Sequence, residues 1–247
     1  MRRRLLAPVL LSLALLGTLS ACAPSPTIDR ARENSGPFLS VLPTTLTAAL
    51  DRFRAEGPKG WAFTQTTVGG GKERVERHDP RQRGSARWIL LFEQGVPPTE
   101  AEQQRYRDTR PPFDSSAHLA AQLDRSRATL LSEDATAATS TYEFALKPAS
   151  ETDTAAAHMR AHVTLHHPTC SILRVELFNF RPFKPAASLT ITEARTTLVY
   201  APPADRRPSL PVESTMHVRG ERFWFRDFEQ SVTSTFSDHA DVSSPAR

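Results

Sequence analysis

From residue 127 onward the chain shows no long helical period, only one strand-like segment after another. This constrains its fold more than any other feature. Segments 127–134, 138–147, 157–167, 171–181, 187–200, 211–219 and 221–236 are short, rich in β-branched and aromatic residues, and separated by brief turns. The clearest pattern runs over 158–166, with apolar side chains at odd positions and polar ones at even positions, the period of a half-buried strand. Parallel strands need crossovers of a dozen or more residues, usually helical. Seven strands in succession without them predict an antiparallel meander rather than βαβ units.

The text upstream is mixed. Leu42, Leu46, Ala49, Leu50 and Phe53 recur at helical spacing, Pro43 with Thr44 or Thr45 suits a helix start, and Gly57-Pro58 stops it, so a helix is predicted over 43–56. Trp61, Phe63 and Val68 mark a strand over 60–68, Gly69-Gly70-Gly71 a turn, and 72–78 a charged return strand. After the Asp79-Pro80 turn, 87–93 is a strand rich in Trp and aliphatics. Pro97-Pro98-Thr99-Glu100 opens a polar helix to about Arg107, and a short helix spans 115–123. The predicted fold class is mainly β with a few helices: a curved antiparallel sheet with a helical lid.

The first residues read differently. Arg2, Arg3 and Arg4 precede an apolar run over 5–19 that is too short for a membrane span, which fits a secretory leader. The run ends in Leu19-Ser20-Ala21-Cys22. This tetrapeptide resembles the lipobox of bacterial lipoproteins. The resemblance implies diacylglycerol on the Cys22 thiol, cleavage before Cys22, and acylation of the new N-terminus, commonly by palmitate. Alanine rather than aspartate at position 23 implies sorting to the outer membrane, facing the periplasm. At about 0.8 kcal/mol per buried CH₂, two or three acyl chains form a stable anchor. The expected organisation is a signal peptide over 1–21, a lipidated tether over 22–40 containing Pro24, Pro26, Gly36 and Pro37, one domain over 41–238, and a tail over 239–247.

Charge excludes one function class. The chain holds 31 Lys+Arg and 27 Asp+Glu. Three of the arginines lie in the leader, so the remainder is nearly neutral and no nucleic-acid partner is expected. The two cysteines are Cys22 and Cys170. With Cys22 acylated, Cys170 has no disulfide partner in the chain, and it is either a buried filler or an exposed thiol. Burial fits better, since no cationic helix terminus lies beside it in sequence.

The order of helix, three strands, short helices and long meander resembles the half-barrel of bacterial lipoprotein carriers and receptors, the LolA/LolB-like superfamily. The residues that carry the resemblance are Leu46, Leu50 and Phe53 of the opening helix, Trp61-Ala62-Phe63-Thr64, and the closing text Phe223-Trp224-Phe225 through Phe236-Ser237-Asp238. It implies an apolar cavity wrapped by a curved sheet, and non-catalytic binding of a lipid or a lipidated protein. Phe223 and Phe225 alternate with Trp224, Phe228, Val232 and Phe236, as Phe178 and Phe180 oppose Val175 and Leu177, so large apolar groups occupy both faces of these strands. Either a cavity lies on one side and a helix or bilayer on the other, or core packing covers both faces locally. The candidate cavity or core residues are Leu46, Leu50, Phe53, Trp61, Phe63, Val175, Leu177, Phe223 and Phe225.

Catalytic and metal chemistry has little support. His158, His162 and His166 are spaced about 13 Å apart on a strand, too far to share one ion. His166, His167 and Cys170 surround a turn and read as a hydrophilic surface. No Gly-x-Ser-x-Gly elbow occurs, and His118 after Asp114-Ser115-Ser116 is a sequence neighbour only. Glu73 with Glu76 and Asp227 with Glu229 read as solvated charges beside arginines. The triple glycine lacks the Lys-Ser/Thr of a phosphate loop. Neither a catalytic residue nor a metal or cofactor is expected. The alternative function is a structural lipoprotein with a filled core that binds another envelope protein. Nothing in the sequence sets the oligomeric state.

Overall fold

The computed structural model describes residues 38–39, 41–55, 57–109, 116–148, 150, 153–204, 207–223 and 225–243. Cys22, the leader and nearly all of the tether lie outside these residues, as does Trp224. No helix among the described residues is long and apolar enough to cross a membrane.

The elements follow the periodicities closely. Helix α1 (Thr44–Arg52) precedes β1 (Trp61–Gly69), β2 (Lys72–His78) and β3 (Trp88–Glu93). Helices α2 (Glu100–Thr109) and α3 (Ser116–Gln122) follow, then β4 (Leu123–Asp134), β5 (Thr139–Leu146), β6 (Met159–His166) and β7 (Ser171–Asn179). The chain ends in β8 (Phe183–Ala186), β9 (Leu189–Ala201), β10 (Leu210–Arg222) and β11 (Arg226–Asp241). β6 alternates strictly between buried and half-buried positions, as its sequence requires. Several boundaries differ from expectation. Strand β4 starts at Leu123 rather than 127, the short β8 is an additional strand, and the 221–236 segment is divided, with Glu221 and Arg222 ending β10 and β11 starting at Arg226. Strand β11 runs to Asp241, so residues 239–241 are strand and not tail, with Val242 N donating to Gly60 O.

All strands join one antiparallel sheet in the order β3-β2-β1-β11-β10-β9-β7-β6-β5-β4, with β8 beside β9. The sheet is open, with β3 and β4 at its edges. It is not a plain meander, because β11 returns to pair with β1, and this ladder alone joins β1–β3 to the other strands. Register shifts at Ala62/Thr64, Thr164/Leu165, Pro211/Glu213 and Arg219/Gly220 bend and twist the strands. Gly220 is required at the last of these. A Cβ there would sit 2.2 Å from the carbonyl oxygen of Thr190.

The face that packs against the helices is the inner face. Leu46, Ala49 and Leu50 of α1 meet Val163, Leu165, Val175, Leu177 and Leu198 in one core cluster. Helix α2 covers the other edge. Its Gln103 carboxamide donates to Leu90 O at 2.9 Å and accepts from Leu90 N at 3.2 Å, filling the open ladder of β3 as a further strand would.

Candidate functional site

Strand alternation and register sort the inner face into two halves. Over β4–β9 it is apolar. Phe144, Met159, Val163, Leu165 and Val175 are all buried, and α1 lies over them. Of the expected residues, Leu46, Leu50, Phe53, Val175 and Leu177 come together here. Phe53 packs edge-on against Tyr200 with ring centroids 5.3 Å apart, and the Tyr200 hydroxyl donates to Ala55 O at 2.9 Å. This half is filled by the α1 side chains.

Trp61 and Phe63 lie elsewhere. Phe63 is buried on β1, and Trp61 is half-buried at its start. Phe63 stacks on His78 at 4.8 Å and meets Trp88 at 5.7 Å and Phe236 at 5.5 Å. His239 stands 6.1 Å away, and burial lowers its pKa below the usual imidazole value. Phe223 and Phe225 correct the expectation outright. They are 58% and 83% exposed at the β10–β11 turn and line neither cavity nor core. The turn lifts them off the sheet: Phe223 has φ 53° and its N–H donates to Ser188 O.

On the rest of the inner face, over β10, β11, β1 and β2, a polar strip runs between the apolar side chains of Phe63, Val232 and Phe236. Gln65 pairs with Glu76 across β1–β2, and Thr67 with Ser234 across β1–β11, while Ser234 faces Ser214 on β10. All five are buried. Gln65 Nε2 donates to Thr67 Oγ1 at 3.0 Å and to Ser234 Oγ at 3.2 Å, and the two hydroxyls lie 2.9 Å apart. The Tyr106 hydroxyl of α2 donates to Glu76 Oε1 at 2.5 Å. Arg74 lies over the Tyr106 ring, 5.9 Å from its centroid, and bonds Glu93 at 3.1 Å.

Sequence reasoning missed this strip. Glu76 was expected to be a solvated partner of Glu73. An offset of three on a strand sends the two to opposite faces, and Glu76 is 2% exposed on the inner one. The available signal was Gln65 and Thr67 in phase with Trp61 and Phe63, which places amide and hydroxyl on the face that begins apolar.

The other candidates are accounted for locally. His162 Nε2 lies 3.1 Å from Glu143 Oε2, on the outer face. His166 Nδ1 bonds Thr169, and Arg181 Nε donates to His158 Nδ1 at 3.0 Å. Burial, then the Arg181 charge, lowers the His158 pKa. Cys170 is half-buried rather than buried. Ser140 Oγ contacts His167 Nε2 at 2.7 Å, but Ser140 is 1% exposed, and the nearby Glu133 bonds the serine and not the imidazole. That inverts the order a serine nucleophile needs. An open groove of about 660 Å³ runs along α2, lined by Thr99, Glu100, Gln103 and Arg107 among others, and its walls are mainly polar.

These features define a mainly β protein built on a single open antiparallel sheet. No family model matches the chain, and no curated protein is significantly similar to it. Among solved structures, the crystal structure of a DUF1329 family protein from Desulfovibrio piger ATCC 29098 aligns over 81% of this chain and 92% of that one. The TM-score is 0.34 and the identity 9%, too distant to assign a family.

Proposed function

We propose that this chain is a lipid-anchored envelope protein, held at the outer membrane through Cys22 and facing the periplasm, that takes an acyl chain or a lipidated partner between its sheet and α1. One observation carries the reading: beside the apolar area of the inner face lies a buried strip of amide and hydroxyl groups, Gln65, Thr67, Ser234 and Ser214. A lipid has the same division. Its chain would replace Leu46, Leu50 and Phe53 on β4–β9, and its ester or carboxyl group would meet Thr67, Ser234 and Gln65. Helix α1 suits a movable cover. It is nine residues long, lacks a side-chain N-cap, and is tied to the rest of the fold by the polar contacts Asp51–Arg125 and Arg52–Cys170 O. Binding by burial of apolar surface needs no covalent step.

The test is native mass spectrometry of residues 23–247, the mature polypeptide without its acylated cysteine, purified without detergent, followed by titration with a fluorescent fatty acid. Bound lipid masses, several-fold stronger uptake in Leu50→Ala, weaker uptake in Thr67→Val and unchanged uptake in Phe225→Asp are the expected results. A clean apo mass with no uptake overturns the proposal. The filled apolar half then favours the second reading, an interaction lipoprotein with a solid core that binds another envelope protein.

A further inference from the structure

The β10–β11 hairpin carries two features that folding does not explain. The first is at its tip. Turns are normally built from Gly, Asn, Asp, Pro and Ser. Here Phe223 and Phe225 stand two residues apart with most of their surface in water. Phe223 also holds φ 53°, a conformation that a bulky residue adopts only at a cost. A lone exposed phenylalanine needs no explanation, but two in one strained turn do.

The second is the pair beneath them. Arg222 and Arg226 are direct cross-strand partners. Like charges placed opposite one another destabilise a ladder. Arg222 lies over the Phe228 ring at 5.0 Å, which keeps one guanidinium on the inner side of the hairpin.

The position of the hairpin adds a third point. Its register with β1 stops at Gly69↔Val232, so the first six residues of β11 project beyond the end of β1. The end of β7 lies toward the same side of the sheet, and there Phe180 is 40% exposed with Arg181 5.2 Å from its ring. Exposed aromatics and arginines thus share one end of the molecule.

We infer that Phe223 and Phe225 insert into the interfacial layer of an anionic phospholipid bilayer while Arg222 and Arg226 bind lipid phosphates. Aromatic rings partition to the membrane–water boundary, and a guanidinium pairs with phosphate through two parallel hydrogen bonds. The phosphates remove the repulsion between the two arginines. The inner side of the hairpin end presents Arg222 and Arg226, while the adjoining Glu221–Asp227 pair lies on the opposite side. Positive charge therefore faces the lipid phosphates on one side of the tip and selects the bilayer over a neutral apolar partner. The contact is independent of the inner-face site and of the Cys22 anchor, and it orients the domain rather than tethering it.

The test is co-sedimentation of residues 23–247, which contain every described residue, with phosphatidylcholine vesicles, alone or with about one-third phosphatidylglycerol. The chain is expected to pellet with the anionic vesicles. Phe225→Ser should weaken this about tenfold, and Arg222→Gln with Arg226→Gln about fivefold per arginine removed, the double change abolishing the preference for anionic lipid. All three side chains lie at the rim, so circular dichroism and melting should match the parent. No pelleting with either vesicle, or pelleting that Phe225→Ser leaves unchanged, overturns the inference. Capture of a protein through the tip by a chain that ignores vesicles overturns it equally. Because uptake of a soluble fatty acid does not require the tip, loss of vesicle binding and loss of lipid uptake are separable outcomes.

Discussion

Arginine and phenylalanine together resolve the puzzle of large apolar groups on both faces of β7. Val175 and Leu177 enter the core, while Phe178 and Phe180 lie on the outer face under guanidinium groups. Arg195 sits 5.6 Å from the Phe178 ring and Arg160 4.1 Å from that of Phe180. Such cation–π contacts contribute about 0.5–1 kcal/mol at exposed sites, and the long side chains cover part of each ring, leaving Phe180 40% exposed. Two histidines carry a pH dependence. His158 and His239 both have pKa values lowered chiefly by burial. The unfolded chain, with imidazoles near 6.5, therefore binds more protons than the folded one as pH falls through that value. Stability is full above about pH 6.5 and declines below it. Urea midpoints should fall between about pH 7.5 and 5.5, before carboxylate protonation matters, and His239→Gln should reduce that fall.

At the scale of elements, α2 shows how a polar helix is held. Its sequence has almost no apolar stripe, and Tyr106 is its buried residue. Thr99 and Glu102 form a capping box. The Glu102 carboxylate accepts from Thr99 N at 2.8 Å, and Thr99 Oγ1 accepts from Glu102 N at 3.3 Å. The Thr99 bonds hold the Glu102 carboxyl below the usual carboxylate range. Thr99→Ala should cost about 1 kcal/mol, read as a lower urea midpoint. The Pro-Pro-Thr-Glu start of this helix was legible in the sequence, and so were nearly all the strands, because period-two burial writes itself directly into residue order. The polar strip on the inner face was not. Gln65, Thr67, Ser214 and Ser234 look like solvent-facing residues until the β1–β11 ladder turns them inward. Glu76 looks solvated until α2 brings Tyr106 over it. Phe223 and Phe225 misled in the opposite direction, since alternation continued through them while the backbone turned.

For the whole molecule, the decisive junction is β1 against β11. On one side stand β1–β3 with α2, on the other β4–β10 with α1 and the apolar cluster. Removing residues 221–247 deletes the ladder that joins them. The remaining chain should lose cooperative unfolding, with β1–β3 becoming sensitive to protease before β4–β10. A single coincident transition in the truncated chain would show that the two parts hold together by other means. The same junction imposes a delay. β1 is made early and meets its partner only when nearly the whole domain has followed it, on the order of ten seconds later at ordinary synthesis rates. Contacts so distant in sequence also form slowly once the chain is complete. A strand that must wait unpaired risks pairing wrongly. Thr64, Gln65, Thr66 and Thr67 keep this one poorly hydrophobic while it waits, so Gln65 and Thr67, which line the polar strip of the finished inner face, also guard the unfinished chain against aggregation.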